Sequence, residues 1–504
     1  MKTFSIFELA SATRVASRAA ASVVVALCLV LSAGAAFAQE YAEANVDDSL
    51  AGQKAAVVGS GDSAQIKNFL TKYYIARWTV RANARDLVKY RQELVQDGAS
   101  LTGAEQTAFL KEAVSVLKGY AGSNKCYPAC RLNAVLAIGE LNTVTGDRST
   151  PDTPYAGAIP DLGRMVTASG DVPDYVRYGA LIGLVRHAQL GIQDEKLRNG
   201  VKTIFARVLD KQYAVDAKLR DEIYDCFTEN AIIGLASFKS PEGSKGGTGT
   251  LDLFRQMIED KNASIQLRCA AASGIGDMNL DGVQNYDFVG LARSLVMLAR
   301  DLCIEESGYI DSELVRDQVK SAAAGGMGGG MGGMSGGMGG MSGGMGGGMG
   351  DMGGGMGGMG VSGGMSGGMG GGMGGTIQNQ KSMEAIVARI QYGFECIQIG
   401  IKGKKSGGSG VLGKLDANDE AQAEVVEMLN DALDEIAGTN KFIAEGPTTS
   451  SGMFGGTSGM GGMGGMTDMY GGMSSNIKVD ASSMKDHLLE KRINFNQLLG
   501  IDSY

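Results

Sequence analysis

The sequence predicts an all-α protein that carries two segments rich in glycine and methionine. Apolar side chains recur at spacings of three and four residues along most of the 504 residues, which is the period of an amphipathic helix. Residues 325–375 hold 32 Gly and 13 Met, and residues 452–473 hold 10 Gly and 6 Met. Outside them the glycine content is near the roughly 7% of ordinary proteins. This composition excludes a fully disordered protein and a polytopic membrane protein.

The first 38 residues have the features of a secretory signal peptide. Three basic residues and one acid are followed by an apolar run at 23–31, and Ala36-Phe37-Ala38 provides an A-x-A cleavage site. We therefore expect export to the periplasm, the cell surface or the medium, with cleavage after Ala38. An uncleaved anchor is the alternative, since about 20 uncharged residues just span a bilayer. No later segment is long and apolar enough for a membrane span.

Charge and cysteine content narrow the classes of function. The net charge is −9, and removal of the leader, which contributes +2, makes it −11; a general nucleic-acid binder would need a basic face. Six cysteines remain after cleavage, and an even number in an exported chain permits disulfides. Cys126 and Cys130 are the nearest pair. The other four lie in apolar helical patterns, where the simplest interpretation is a small buried side chain.

The first helices are predicted between residues 64 and 119. Residues 39–63 are small and polar and indicate a flexible lead-in. Helical periodicity then runs through 66–76, 87–95 and 109–117, with glycine at the breaks.

A repeated pattern follows, in which an arginine precedes an alanine by three residues and another small residue by six. Three copies begin at Arg131, Arg177 and Arg268, and a weaker copy has Thr228 at the arginine position. The alanines of the four copies are Ala134, Ala180, Ala231 and Ala271. Their spacings of 46, 51 and 40 residues are typical of a helical solenoid.

These copies, over roughly residues 120–310, resemble HEAT repeats. The resemblance implies pairs of antiparallel helices in a right-handed solenoid, with the arginine-bearing helix inward and a concave surface that binds protein. In that family an Asp about six residues earlier often pairs with the arginine. Here Asp171 and Asn262 occupy that position in two copies, and Lys125 in the first. Because the match is degenerate, an irregular helical array is the alternative architecture.

Helical periodicity continues on both sides of the first glycine- and methionine-rich segment, so that segment is expected to loop out. Loop closure becomes costlier only slowly with length. The expected organisation is a signal peptide at 1–38, a flexible lead-in at 39–63, a helical repeat domain at 64–324, a disordered insert at 325–375, a helical continuation at 376–440, a linker at 441–475 and a C-terminal amphipathic helix at 476–504.

One loop resembles a calcium-binding loop. Oxygen-bearing side chains alternate along it and glycine stands at the sixth position. The candidate ligands are Asp277, Asn279, Asp281, Asn285 and Asp287. The twelfth position, which should be a bidentate acid, is Phe288. A polar turn between helices explains the same residues, because Asp and Asn favour turns.

The methionine-rich segments are candidates for Cu(I) binding. Thioethers are soft ligands that suit this ion, and pairs such as Met331/Met334 and Met460/Met463 stand three residues apart. A flexible linker is the simpler interpretation, because ordering a glycine-rich chain costs conformational entropy. Contact with client proteins through adaptable methionines is a third possibility.

The sequence shows no catalytic motif. There is no G-x-S-x-G, and a near match to a phosphate-binding loop at 408–414 is followed by Leu415 where Ser or Thr should stand. We therefore expect a non-enzymatic, exported scaffold that binds protein and needs no cofactor. A metal-binding exported protein, with calcium at 277–287 or Cu(I) at the methionines, is the alternative.

Overall fold

The computed structural model describes residues 41–147, 149–168, 172–211, 220–326, 374–404, 408–446 and 479–501. In this part of the chain the protein is all-α, which confirms the predicted fold class. The described strands form one short antiparallel hairpin, β1 (Asn142–Val144) with β2 (Thr153–Pro154). None of the described helices combines the length and the apolar character that a membrane span requires.

The α-helices are numbered here in chain order. They are α1 (Lys54–Val58), α2 (Ser63–Phe69), α3 (Leu87–Ser100), α4 (Gly103–Gly122), α5 (Pro128–Glu140), α6 (Ile159–Thr167), α7 (Asp174–Leu190), α8 (Glu195–Leu209), α9 (Arg220–Ala236), α10 (Gly249–Glu259), α11 (Ile265–Asp277), α12 (Phe288–Gly326), α13 (Gly374–Lys402), α14 (Glu420–Glu445) and α15 (Ala481–Leu498).

Two compact units divide the chain. Unit 1 comprises the described residues of Met1–Leu302, Gln391–Ala437 and Ile493–Tyr504, and unit 2 those of Cys303–Ile390 and Gly438–Arg492. The predicted signal peptide and most of both glycine- and methionine-rich segments lie outside the described residues. The expected lead-in, from residue 41, contains a short 3₁₀ helix (Asp48–Gln53) and α1, and the Ala42 amide donates to the Lys125 carbonyl at 3.0 Å.

Unit 1 is built from helix pairs: α4 with α5, α6 with α7, α8 with α9, and α10 with α11. The second helices of successive pairs also contact one another, in the order α5, α7, α9, α11. We call these four helices the second row. They carry the four copies of the repeated sequence pattern, and α3 packs against the first of them.

A buried arginine recurs in three second-row helices. Each Nε donates to a carbonyl in the last turn of the preceding helix: Arg131 to Ala121 (2.9 Å), Arg177 to Val166 (3.4 Å) and Arg268 to Ile258 (2.8 Å). The last carbonyls of an α-helix lack an intrahelical partner. The arginine therefore ties the two helices of a pair together.

The carboxylates that pair with these arginines come from unexpected positions. Arg177 forms an ion pair with Asp174 at 3.0 Å, and Asp171, the expected partner, lies outside the described residues. Arg268 pairs with Asp301 on α12 at 2.8 Å. Asn262, which stands where the paired aspartate is expected, has no carboxylate. The ion-pair partner of Arg268 is therefore supplied by a helix distant in sequence.

Small residues set the distance between second-row helices. The repeated alanines at positions 134, 180, 231 and 271 are all fully buried. Gly139 of α5 faces Gly183 of α7, and a Cβ on Gly139 would lie 2.6 Å from the Gly183 Cα. The backbones therefore meet at a point that admits no side chain.

Unit 2 contains segments of α12, α13, α14 and α15. The buried Glu306 pairs with Arg389 at 2.9 Å, and Lys485 pairs with Asp311 at 2.6 Å. The His487 ring stacks on Phe442 with centroids 4.1 Å apart. Polar contacts thus connect α12 with both α13 and α15.

Candidate protein-binding face

The second row presents one partly exposed aliphatic side chain on each of three consecutive helices. These residues are Leu136, Ile182 and Ile233, each five positions after the repeated Arg or Thr. The residues immediately on either side of them in the helices are buried. In α11 the equivalent residue is Ser273. We call Leu136, Ile182 and Ile233 the second-row stripe.

Aromatic and polar contacts support the stripe on α7 and α9. The Tyr178 and Phe227 rings lie 5.5 Å apart, and the Asn230 amide donates to the Tyr178 hydroxyl at 3.0 Å. Both contacts join the two helices within two helical turns of Ile182 and Ile233. Packing between the helices therefore fixes the positions of these two residues relative to one another, which gives a preorganised surface.

Helix α3 lies against the α5 end of the stripe. Arg91 donates to the Asn133 side chain at 2.8 Å and forms an ion pair with Glu140 at 2.8 Å. Both partners lie on the outward side of α5, three or four residues from Leu136. The part of the stripe on α7 and α9 is consequently the more open part.

Charged groups beside the stripe are engaged with one another. Arg186 donates to the Gly139 carbonyl at 3.0 Å, and to the Asn142 and Asp152 side chains at 2.8 Å each. Burial raises the pKa of Glu140, while Arg91 and Arg186 act in the opposite direction. This network positions the α5 and α7 ends and the hairpin.

The structure distributes the predicted calcium ligands among protein partners. Asp277 pairs with Lys404 at 3.0 Å. Asp287 pairs with Arg255 at 3.1 Å and accepts a hydrogen bond from the Gly290 amide, and both contacts hold the pKa of Asp287 below its usual range. These two carboxylates serve as an ion-pair partner and as a helix cap.

The middle of the same loop shows turn chemistry. Asn279 accepts from the Asp281 amide at 3.0 Å, and Asp281 accepts from the Ser409 hydroxyl at 3.1 Å. Asn285 has a positive φ of 55°, which Asn tolerates better than most residues. Among the described residues, no three His, Cys, Asp or Glu side chains are grouped closely enough to hold a metal ion.

The remaining candidates from the sequence have different outcomes. The paired methionines lie outside the described residues. Cys126 and Cys130 are free, buried thiols. His187 is buried on α7, and neither of its ring nitrogens has a hydrogen-bond partner among the described residues.

A cavity of about 560 Å³ lies elsewhere, beside α4 and α6. Its polar lining includes Lys111, Lys118, Tyr155 and Asp161. Lys118 and Asp161 already form an ion pair at 2.7 Å. Two of its charged lining groups are thus engaged with each other.

Sequence reasoning did not identify the second-row stripe. The signal was available, because alignment of the copies on Arg131, Arg177 and Thr228 places an aliphatic residue five positions later in each. Helical periodicity alone could not separate these residues from the core, since neighbouring helices cover nearly the whole circumference of a second-row helix.

Comparison with known proteins adds no relative to this description. No protein-family model matches the chain, and neither a curated protein nor a solved structure is significantly similar to it. A function must therefore be argued from the geometry.

Proposed function

We propose that this chain is an exported, non-enzymatic scaffold built on HEAT-like repeats, and that the second-row stripe binds a protein partner. The observation that carries the proposal is the recurrence of a partly exposed aliphatic residue at the equivalent position of α5, α7 and α9. Stacked helical repeats commonly bind proteins along such a row.

The recurrent arginines support the HEAT-like part of the proposal. In three helix pairs the arginine at the equivalent position donates a hydrogen bond to a carbonyl in the last turn of the preceding helix. The contacts between consecutive second-row helices extend the pairs into a row. A row repeated in this way presents equivalent positions at regular intervals.

Glu140, Arg186 and His187, the titratable groups described above beside the stripe, are each buried or paired, which supports a binding role. His187 lies on the same helix as Ile182, but it is 1% exposed and cannot reach a substrate without local unfolding. Arg186 is engaged by Asn142 and Asp152. The groups beside the stripe therefore position the helices.

The spacing of the stripe indicates the kind of partner. Neighbouring packed helices are about 8–10 Å apart. A polyproline II segment with apolar side chains three residues apart repeats at about 9 Å on one face, and a helix with apolar residues seven apart repeats at about 10.5 Å. Either segment would place one apolar side chain against Ile182 and another against Ile233.

The test is site-specific photo-crosslinking combined with matched substitutions. A photoreactive residue at 182 or 233 should capture the same partner in the protein's native compartment. Purified Ile182→Asp and Ile233→Ser should then weaken binding of that partner by about tenfold or more, since each removes apolar contact area.

The matched control is Val144→Asp, which changes a 52% exposed aliphatic residue on β1. It should bind as the unmodified chain does. Circular dichroism and melting temperature must show that every variant is folded. Unchanged affinity in both folded stripe variants would contradict the proposal.

A further inference from the structure

The junction between α4 and α5 brings two thiols together. Cys126 lies just before α5, and Cys130 is the third residue of that helix. Each thiol is near enough to the other to shift its pKa, and both are buried, with Cys126 6% and Cys130 0% exposed. Two cysteines can be joined by a disulfide when their Cα atoms lie within about 7 Å of each other.

The two thiols differ in acidity. Interaction with Cys130 lowers the pKa of Cys126, helped by Ser123 and Arg131 and opposed by burial. The same interaction and burial raise the pKa of Cys130. A thiolate is the reactive form of cysteine, and the best attacking thiol has a pKa near the ambient pH.

We propose that Cys126 and Cys130 form a reversible dithiol–disulfide pair, in which Cys126 attacks an incoming disulfide and Cys130 completes the exchange. The thiolate of Cys126 attacks one sulfur of the disulfide, and the other sulfur leaves as a thiolate. Cys130 then gives its proton to that thiolate or to water and attacks the Cys126 sulfur, which breaks the mixed disulfide and releases its other sulfur as a second thiolate. Two protein thiols are oxidised, and the incoming disulfide is reduced to two thiols.

The surroundings of the pair suggest what the exchange would affect. The Ala42 amide bonds the Lys125 carbonyl next to Cys126, and the Tyr127 hydroxyl donates to the Trp78 carbonyl at 2.9 Å. Ala42 and Trp78 are therefore bonded to the residues on either side of Cys126. Because Cys126 is buried, access of a disulfide requires a local opening of the chain, so we expect oxidation of the pair to be coupled to these two hydrogen bonds.

The experiment uses the reduced, folded chain and oxidised glutathione as the disulfide. Samples are quenched with acid and read by intact mass and peptide mapping. The unmodified chain should form a Cys126–Cys130 disulfide and retain no glutathione at either residue, and dithiothreitol under native conditions should restore both thiols.

Single substitutions separate the two roles. Cys130→Ser should accumulate glutathione on Cys126, because the second step is blocked. Cys126→Ser should react at Cys130 at least about tenfold more slowly, because that thiol is fully buried and burial still raises its pKa after Cys126 is removed. Cys226→Ser is the control and should leave the Cys126–Cys130 reaction unchanged. Circular dichroism checks each variant, and Cys→Ala versions replace any that does not fold.

Three results would overturn the proposal. They are no Cys126–Cys130 disulfide in the native chain, a disulfide there that dithiothreitol cannot reduce without unfolding, and faster modification of Cys130 in Cys126→Ser than of Cys126 in Cys130→Ser. None of these results bears on the binding function of the second-row stripe.

Discussion

The recurrent arginine shows how one residue type can define a repeat. A guanidinium buried without partners would cost several kcal/mol, yet Arg268 lies buried between the Ile258 carbonyl and the Asp301 carboxylate. The carbonyl belongs to the same pair, so it recurs in each copy. The carboxylate partner does not recur at an equivalent position. Asp174 of α7 itself pairs with Arg177, whereas Asp301 of α12 pairs with Arg268.

His187 should make stability depend on pH in a defined window. Burial, together with the nearby charge of Arg186, lowers the pKa of His187 to about 4. An unfolded histidine has a pKa of about 6.5, so the unfolded chain binds more protons between these values. The contribution of the neutral His187 to the free energy of unfolding is therefore fully present above pH 6.5. It falls as the pH drops toward 4, by about 3 kcal/mol over that range.

The measurement compares urea unfolding of the unmodified chain and His187→Leu from pH 7.5 to 4. Carboxylates contribute equally to both curves, so the difference isolates His187. The variant should gain relative stability only below about pH 6.5. His187→Phe tests whether side-chain shape matters. Parallel curves for all three proteins would show that His187 does not account for acid sensitivity.

At the scale of elements, most helices follow directly from periodicity, but the segment after α2 does not. A helix was expected through residue 76, whereas the structure has a π-helical turn (Leu70–Tyr74) and then 3₁₀ turns. Trp78 is fully buried, and Arg77 lies over the Tyr74 and Tyr90 rings at 4.6 and 4.3 Å. These tertiary contacts override a local pattern that by itself favours a regular helix.

The contact between α5 and α7 gives a prediction about glycine. Gly139→Ala should destabilise the protein by about 1–3 kcal/mol, because its Cβ would overlap the Gly183 backbone. Neither helix can move away without disturbing its pairing with α4 or α6. Chemical denaturation measures the change.

Gly119→Ala is the matched control, since Gly119 is on α4 and a Cβ there meets no atom within 4 Å. It should leave stability unchanged or raise it by about 0.5–1 kcal/mol, as alanine is the better helix former. Equal effects of the two substitutions would show that the helix contact tolerates a side chain.

At the scale of the whole molecule, the acidic net charge of −9 invites the expectation of bound cations. In the described part of the chain, many carboxylates are instead engaged by arginine and lysine, including Asp277 and Asp287 of the predicted calcium loop. Such pairing makes a carboxylate less available to a metal ion, since the cation must displace the partner.

We therefore expect the folded chain not to depend on calcium for its stability. Added calcium and added chelator should leave the melting temperature of the full-length protein unchanged, because metal that binds only the folded state would raise it. Lys404→Ala is the informative variant, as it frees Asp277. A calcium-dependent rise in the unmodified chain would restore the metal-binding alternative.

Sequence alone established the helical class, the positions of most helices and the four copies, because amphipathic periodicity and small-residue spacing act within a few turns of chain. The tertiary structure decided which side chains form the stripe. It also decided which carboxylate pairs with Arg268 and which lysine pairs with Asp277. Each depends on which distant helix covers a given face: Lys404 reaches Asp277 from the end of α13, and Asp301 reaches Arg268 from α12. Exposure and pairing are properties of packed neighbours, which local periodicity does not encode.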